Sequence, residues 1–166
     1  MVFPEELANR VWHTTTEDRY AAILLDGAIR PEPDIPNNER WGASMGPDKF
    51  PFVRSIGGVS LFDFRCFEPD TYRQQYPASS WGAFVPCRLN CKSAVWIEIR
   101  LAQVEEHFID GLALLARWKG SGEVHRNIMP VIECAHIGPI GADAFGDVLV
   151  FRANSQCFEK IARSNT

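Results

Sequence analysis

Hydrophobic and polar positions alternate in short runs separated by Pro-rich or polar stretches, which predicts short strands and a few brief helices rather than long amphipathic ones. Val11-Trp12-His13-Thr14-Thr15 reads as an apolar strand that ends in a polar His-Thr pair. Thr14 to Thr16 supply a cap for a helix beginning near Glu17. Glu17 and Asp18 suit its positive end, and Tyr20, Ile23 and Leu24 recur at helical spacing. Gly27 then provides the left-handed stop. Gly58 to Phe64 alternates and is rich in β-branched and aromatic residues, as a half-buried strand requires, while the near-continuous apolar run Ser93 to Ile99 predicts a central strand.

Weaker signals fill the remainder. Glu68 to Gln75 predicts a brief helix and Ser79 to Gly82 a turn. Gln103 to Trp118 predicts a helix that Gly111 weakens or splits, and Lys119-Gly120-Ser121-Gly122 breaks the chain after it. Met129 to Ile137 reads as a buried strand whose pattern Glu133 interrupts, and Asp147 to Phe151 as the last strand. Strands dominate the second half and helices lie mainly in the N-terminal half, so the class is α+β. Residues 31 to 52 carry Pro31, Pro33, Pro36, Pro47 and Pro51 with few aliphatic residues. That segment is a long irregular loop, either a functional lid or a mobile connector.

A chain of 166 residues with 46% hydrophobic content can bury one sizeable core, which predicts a single domain spanning 1–166. Its net charge of −4 argues against a broad electrostatic footprint for nucleic acid or anionic lipid. Arg88 with Lys92, and Arg152 with Lys160 and Arg163, are local basic spots best read as solvated surface charge. No run approaches the roughly 20 apolar residues of a membrane span. The acidic start Met1-Val2-Phe3-Pro4-Glu5-Glu6 lacks the plan of a signal peptide, so a cytoplasmic protein without a membrane partner is expected. Five cysteines, an odd number, predict free thiols. Cys87 and Cys91 stand four apart and would need two more ligands from Cys66, His107, His125 or His136 to hold a metal, so no metal site is assigned.

Glu133 is the conspicuous chemical residue, a carboxylate within Pro130-Val131-Ile132-Glu133-Cys134-Ala135-His136-Ile137. It must face water or find partners, because an unpaired buried carboxylate is costly. Facing a cleft, it can stabilise positive charge developing on a sugar ring. His136, three residues on, falls on the opposite face of a regular strand.

The His13-Thr14 strand end, the helix closing in Gly27-Ala28-Ile29-Arg30-Pro31, the Ser60 strand, and the late Pro130-x-x-Glu133 strand followed by Ile137-Gly138-Pro139-Ile140 resemble the ADP-ribosyltransferase superfamily. The nearest flavour is that of RNA 2′-phosphotransferases and DNA-modifying ADP-ribosyltransferase toxins, over about residues 11 to 151. The resemblance implies a split antiparallel or mixed sheet whose central cleft grips NAD⁺ in a bent form. It further implies that His13 bonds a ribose hydroxyl, that Thr14 or its neighbour Thr15 contacts the nicotinamide amide, and that Ser60 shapes the nicotinamide pocket. Glu133 would be catalytic, bonding the nicotinamide ribose 2′-hydroxyl and stabilising the oxocarbenium-like transition state before an acceptor attacks. Arg54 resembles an Arg that meets phosphate groups in the phosphotransferase branch, a task its planar fork suits. Many members stack a Tyr on nicotinamide. Here Phe62, Phe64 or Trp41 would have to serve, and His125-Arg126-Asn127 would lie in the acceptor loop. NAD⁺ and a macromolecular acceptor, protein or nucleic acid, are the partners this implies.

Other chemistries lack support in the residues. Cys134 sits in an apolar strand and reads as a small core residue, and Gly58-Val59-Ser60-Leu61-Phe62 lacks the second Gly of a serine-hydrolase elbow. The competing reading is a catalytically inactive binding or inhibitory protein on the same fold, which five Trp and eleven Phe could furnish with an aromatic surface.

Overall fold

A computed structural model describes residues 2–162, and Arg163 lies outside the described residues. Its centre is a seven-stranded sheet in the order β5-β6-β3-β1-β4-β8-β9, every neighbouring pair antiparallel. These strands are β1 (Val11–Thr15), β3 (Gly58–Asp63), β4 (Ser93–Ile99), β5 (Phe108–Ile109), β6 (Glu133–Ile137), β8 (Phe145–Arg152) and β9 (Cys157–Lys160). A separate ribbon pairs β2 (Ala28–Ile29) with β7 (Ile140–Gly141). Among the described residues three α-helices precede the chain midpoint, α1 (Glu17–Asp26), α2 (Phe52–Ser55) and α3 (Pro69–Gln75), and one follows it, α4 (Gly111–Gly120). The class is therefore α+β, and the sheet contains no parallel pair that would make it mixed.

Local chemistry explains the best-defined elements. The Thr16 side chain accepts from the Arg19 amide at the start of α1, and Gly27 ends the helix in the left-handed conformation at φ 73°. Asp110 caps α4 by accepting from the Ala113 amide. Along β3, Val59 and Leu61 enter one aliphatic core with Val95, Ile97, Val148 and Val150, while Phe62 enters an aromatic core with Trp12, Phe64 and Trp96 on the other face. Alternation thus gives each face of the sheet its own core. A third cluster joins Phe52 and Val53 of α2 and Leu114 of α4 to Ala135 of β6.

Two expected elements are built differently. Residues 103 to 118 are not one helix: 3-10 turns at Leu101–Gln103 and Glu105–His107 lead into β5, and Gly111 opens α4 rather than splitting it. A side chain at Gly111 would overlap the Val131 carbonyl oxygen, so only glycine lets the start of the helix approach that backbone. The strand expected over Met129 to Ile137 begins only at Glu133, because Val131 takes φ 68° and turns the chain first. For a β-branched residue that conformation is a true outlier.

The strand pairing also opens the site. β1 and β3 share only Val11↔Asp63 and Trp12↔Phe62, after which β1 continues alone with β4. The two parts of the sheet, β5-β6-β3 and β1-β4-β8-β9, therefore part beyond Trp12, at His13 on one side and Ser60 on the other.

Candidate active site

A cleft of about 1080 Å³ fills this opening. Its walls include all six residues singled out from the sequence: His13, Thr14, Thr15, Arg54, Ser60 and Glu133. The Pro-rich segment supplies the outer wall, with Glu32, Arg40 and Trp41 among its contributions.

β3 and β6 place the first pair. Phe62 lies opposite Glu133 and Ser60 opposite Ala135, so Ser60 and Glu133 project from the same face of neighbouring strands. The Ser60 hydroxyl donates to Glu133 Oε1 at 2.6 Å, and the Met129 amide donates to Glu133 Oε2 at 2.8 Å. Glu133 is only 4% exposed. Burial pushes its carboxyl above the usual range, and the two donors pull it partly back.

The turn before Glu133 is held from several sides. Met129 O accepts from the Glu133 amide, Pro130 O from the Ile132 amide, and Ile132 O from the Asp63 amide. The Tyr72 hydroxyl of α3 donates to Pro130 O at 2.7 Å and also bonds Ser79. Burial raises the Tyr72 phenol to about 12, so it stays a donor throughout the physiological range. Strain at Val131, two residues from the carboxylate, persists because this surrounding frame over-determines it.

His13 arrives from the other part of the sheet. Alternation sets it on the face opposite Trp12, yet it reaches the cleft because no strand partner closes the gap beside it. Its Nδ1 donates to the Ser60 carbonyl at 3.1 Å, which leaves Nε2 as an acceptor in the neutral ring. Burial lowers the imidazole pKa, and the Ser60 bond offsets part of that effect. Ser60 thus touches both candidate groups, His13 through its carbonyl and Glu133 through its hydroxyl.

The aromatic wall differs from expectation. Phe62 and Trp41 line the cleft, whereas Phe64 is packed against Phe3 and Phe67 in the aromatic core and cannot serve it. Phe84, which no sequence signal marked, lines the cleft and meets Trp41 edge-on with ring centroids 4.7 Å apart. Arg54 is no ordinary surface arginine: its side chain is 11% exposed and sits over the Phe50 ring at 3.6 Å.

Other singled-out residues lie elsewhere. His136 lines a second cavity of about 500 Å³ with His107 and Glu105. Arg126 donates to the Pro47 and Phe50 carbonyls, and Asn127 O accepts from the Phe52 amide, so that segment braces the Pro-rich loop. Asp63 pairs with Arg65, Arg152 with Glu17 and Glu159, and Lys160 with Asp147. The five cysteines are free, and Cys87 Sγ donates to the Cys91 carbonyl. No helix among the described residues is long and apolar enough to cross a membrane. Comparisons with protein-family models, curated proteins and solved structures yield no match for this chain.

Proposed function

We propose that this chain is an NAD⁺-dependent ADP-ribosyltransferase that passes ADP-ribose to a macromolecular acceptor. The observation that carries the reading is the Ser60-bridged approach of His13 and Glu133, 120 positions apart in sequence, on the wall of one cleft. The cleft volume lies just above the roughly 300–1000 Å³ typical of small-molecule sites, as suits a dinucleotide.

In this reading Glu133 accepts a hydrogen bond from the 2′-hydroxyl of the nicotinamide ribose, and its negative charge stabilises the oxocarbenium-like transition state. The bond between the ribose anomeric carbon and nicotinamide breaks with its electron pair on the leaving nicotinamide. The acceptor nucleophile bonds the same carbon and loses its proton to solvent. Ser60 orients the carboxylate, and the Met129 amide holds its second oxygen. His13 offers Nε2 to a ribose hydroxyl, Thr14 and Thr15 offer backbone groups to the amide, and Trp41, Phe62 and Phe84 provide apolar ring faces. Arg54 serves the phosphates.

Incubation of the purified protein with labelled NAD⁺ and candidate protein, DNA and RNA acceptors, followed by chromatography and mass spectrometry, tests the reading. Nicotinamide release with a labelled acceptor is expected, and Glu133→Gln is expected to lower the rate by about 10²–10³-fold, as loss of a transition-state charge partner does. Wild-type protein that binds NAD⁺ without consuming it points instead to the inactive binding protein on this fold.

A further inference from the structure

Two arginines of the cleft wall converge on a single carboxylate. Glu32 Oε1 accepts from Arg54 Nε at 2.7 Å, and Glu32 Oε2 accepts from Arg54 Nη2 at 2.9 Å and from Arg40 Nη1 at 2.7 Å. The geometry is the bidentate fork that guanidinium groups also present to phosphate. The partners are unequally enclosed: the Arg40 and Arg54 side chains are 14% and 11% exposed, whereas Glu32 is 60% exposed.

Each arginine also has a partner other than the Glu32 carboxylate. Arg40 Nη2 donates to Pro31 O, while Arg54 Nη2 also donates to Asn37 Oδ1 and its guanidinium lies over Phe50. Arg54 Nη1 is buried with no hydrogen-bond partner among the described residues. The carboxylate, by contrast, sits on an irregular segment between Pro31 and Pro33 with no regular secondary structure to hold it. Two largely enclosed cations, one unused donor and an exposed, loop-borne anion amount to a built anion site filled by the chain itself.

We propose that Arg40 and Arg54 form a diphosphate site of the cleft, and that Glu32 is its internal occupant, displaced when the diphosphate of a nucleotide enters. The exchange improves the neutralisation of the two arginines: one carboxylate leaves as a more highly charged anion arrives, and the free Nη1 gains an acceptor. Glu32 thereby sets a threshold that disfavours singly charged anions. The choice of a nucleotide diphosphate rests on the transferase reading, but the exchange itself does not.

Calorimetric titration of the full chain with inorganic pyrophosphate and with ADP-ribose tests this. Glu32→Gln keeps an acceptor for Arg54 while removing the competing charge, and should tighten both ligands about tenfold. Arg40→Gln should weaken both by a similar factor. Wild-type protein offers a check free of any folding defect: pyrophosphate should shift the side-chain NMR signals of Arg54 Nε and the Glu32 carboxyl together.

Unchanged affinity in Glu32→Gln, or pyrophosphate binding without a Glu32 signal shift, overturns the exchange. A short single-stranded oligonucleotide that competes better than ADP-ribose overturns the nucleotide assignment. The two readings fail separately. Pyrophosphate exchange without nicotinamide release sinks only the transferase, and nicotinamide release with a KM for NAD⁺ unaltered by Glu32→Gln sinks only the exchange.

Discussion

Replacing Gly111 by Ala places one methyl group where the fold has no room. The added Cβ would overlap the Val131 carbonyl oxygen and stand 2.9 Å from Val131 Cα. Carbon atoms in comfortable contact lie roughly 3.5 Å or more apart. Neither side can recoil easily. Val131 already sits at φ 68°, and its neighbours are tied through Pro130 O to Tyr72 and through Ile132 O to Asp63. On the helix side, Leu114 is fully buried and Asp110 caps the first turn. Backbone displacement on this scale costs about 3–4 kcal/mol, beyond ordinary overpacking, and outweighs the smaller helix-propensity gain of Ala over Gly. At about 2.1 cal/mol/K of unfolding entropy per residue, a chain of 166 residues should lose about 10 °C of melting temperature. Gly120→Ala, at the other end of α4, is the matched control: its Cβ meets nothing within 4 Å, so that variant should melt at or slightly above the wild-type temperature. Calorimetric melts of the two variants decide the matter. Equal melting temperatures would refute the claim that the start of α4 and the turn before Glu133 are locked together.

Three further outcomes follow from the same frame. Glu133 has a raised pKa in the folded state, so folding takes up protons above the ordinary carboxylate pKa of 4.5 and its ionisation lowers stability as pH rises through the folded-state value. Glu133→Gln can keep its carbonyl oxygen on the Met129 amide while the Ser60 hydroxyl rotates to accept; in urea unfolding its stability advantage over wild type should be absent near pH 4 and grow above it, and an advantage constant with pH would contradict this. His13 behaves oppositely: its lowered pKa makes its contribution fall away as pH drops below 6.5, so its ring signal in NMR should titrate below that value, and titration above it would show the ring to be open to solvent or paired with an anion. Tyr72→Phe leaves the half-buried Pro130 carbonyl with the Ile132 amide but without the hydroxyl donor, which should cost about 1 kcal/mol and about 3 °C of melting temperature, with a lower kcat for nicotinamide release at unchanged KM; a loss confined to KM would refute a positioning role.

Much of this architecture was legible one segment at a time. The Thr16 cap, the Gly27 stop, and the strands at Gly58–Asp63 and Ser93–Ile99 depend on neighbours a few residues away and on which face is buried, and both leave a periodic trace in the sequence. Gly111 was visible as a helix breaker but not as a helix start, because its role depends on the backbone of Val131, twenty positions on. Val131 itself carries no mark of its left-handed conformation, so the strand before Glu133 read longer than it is.

The site divides in the same way. Its residue types and their order carried the resemblance that singled out His13, Ser60, Arg54 and Glu133. Their convergence is a tertiary fact. β1 stops pairing with β3 after Trp12, which opens the space His13 and Ser60 share, and only the β3–β6 register brings Glu133 beside Ser60. Phe84 and the Glu32–Arg40–Arg54 cluster left no periodic signal, since the first is a loop residue and the others meet across an irregular segment. Periodicity records what a residue's own strand or helix demands; a cleft is made where strands cease to pair, and that is decided by contacts between residues far apart along the chain.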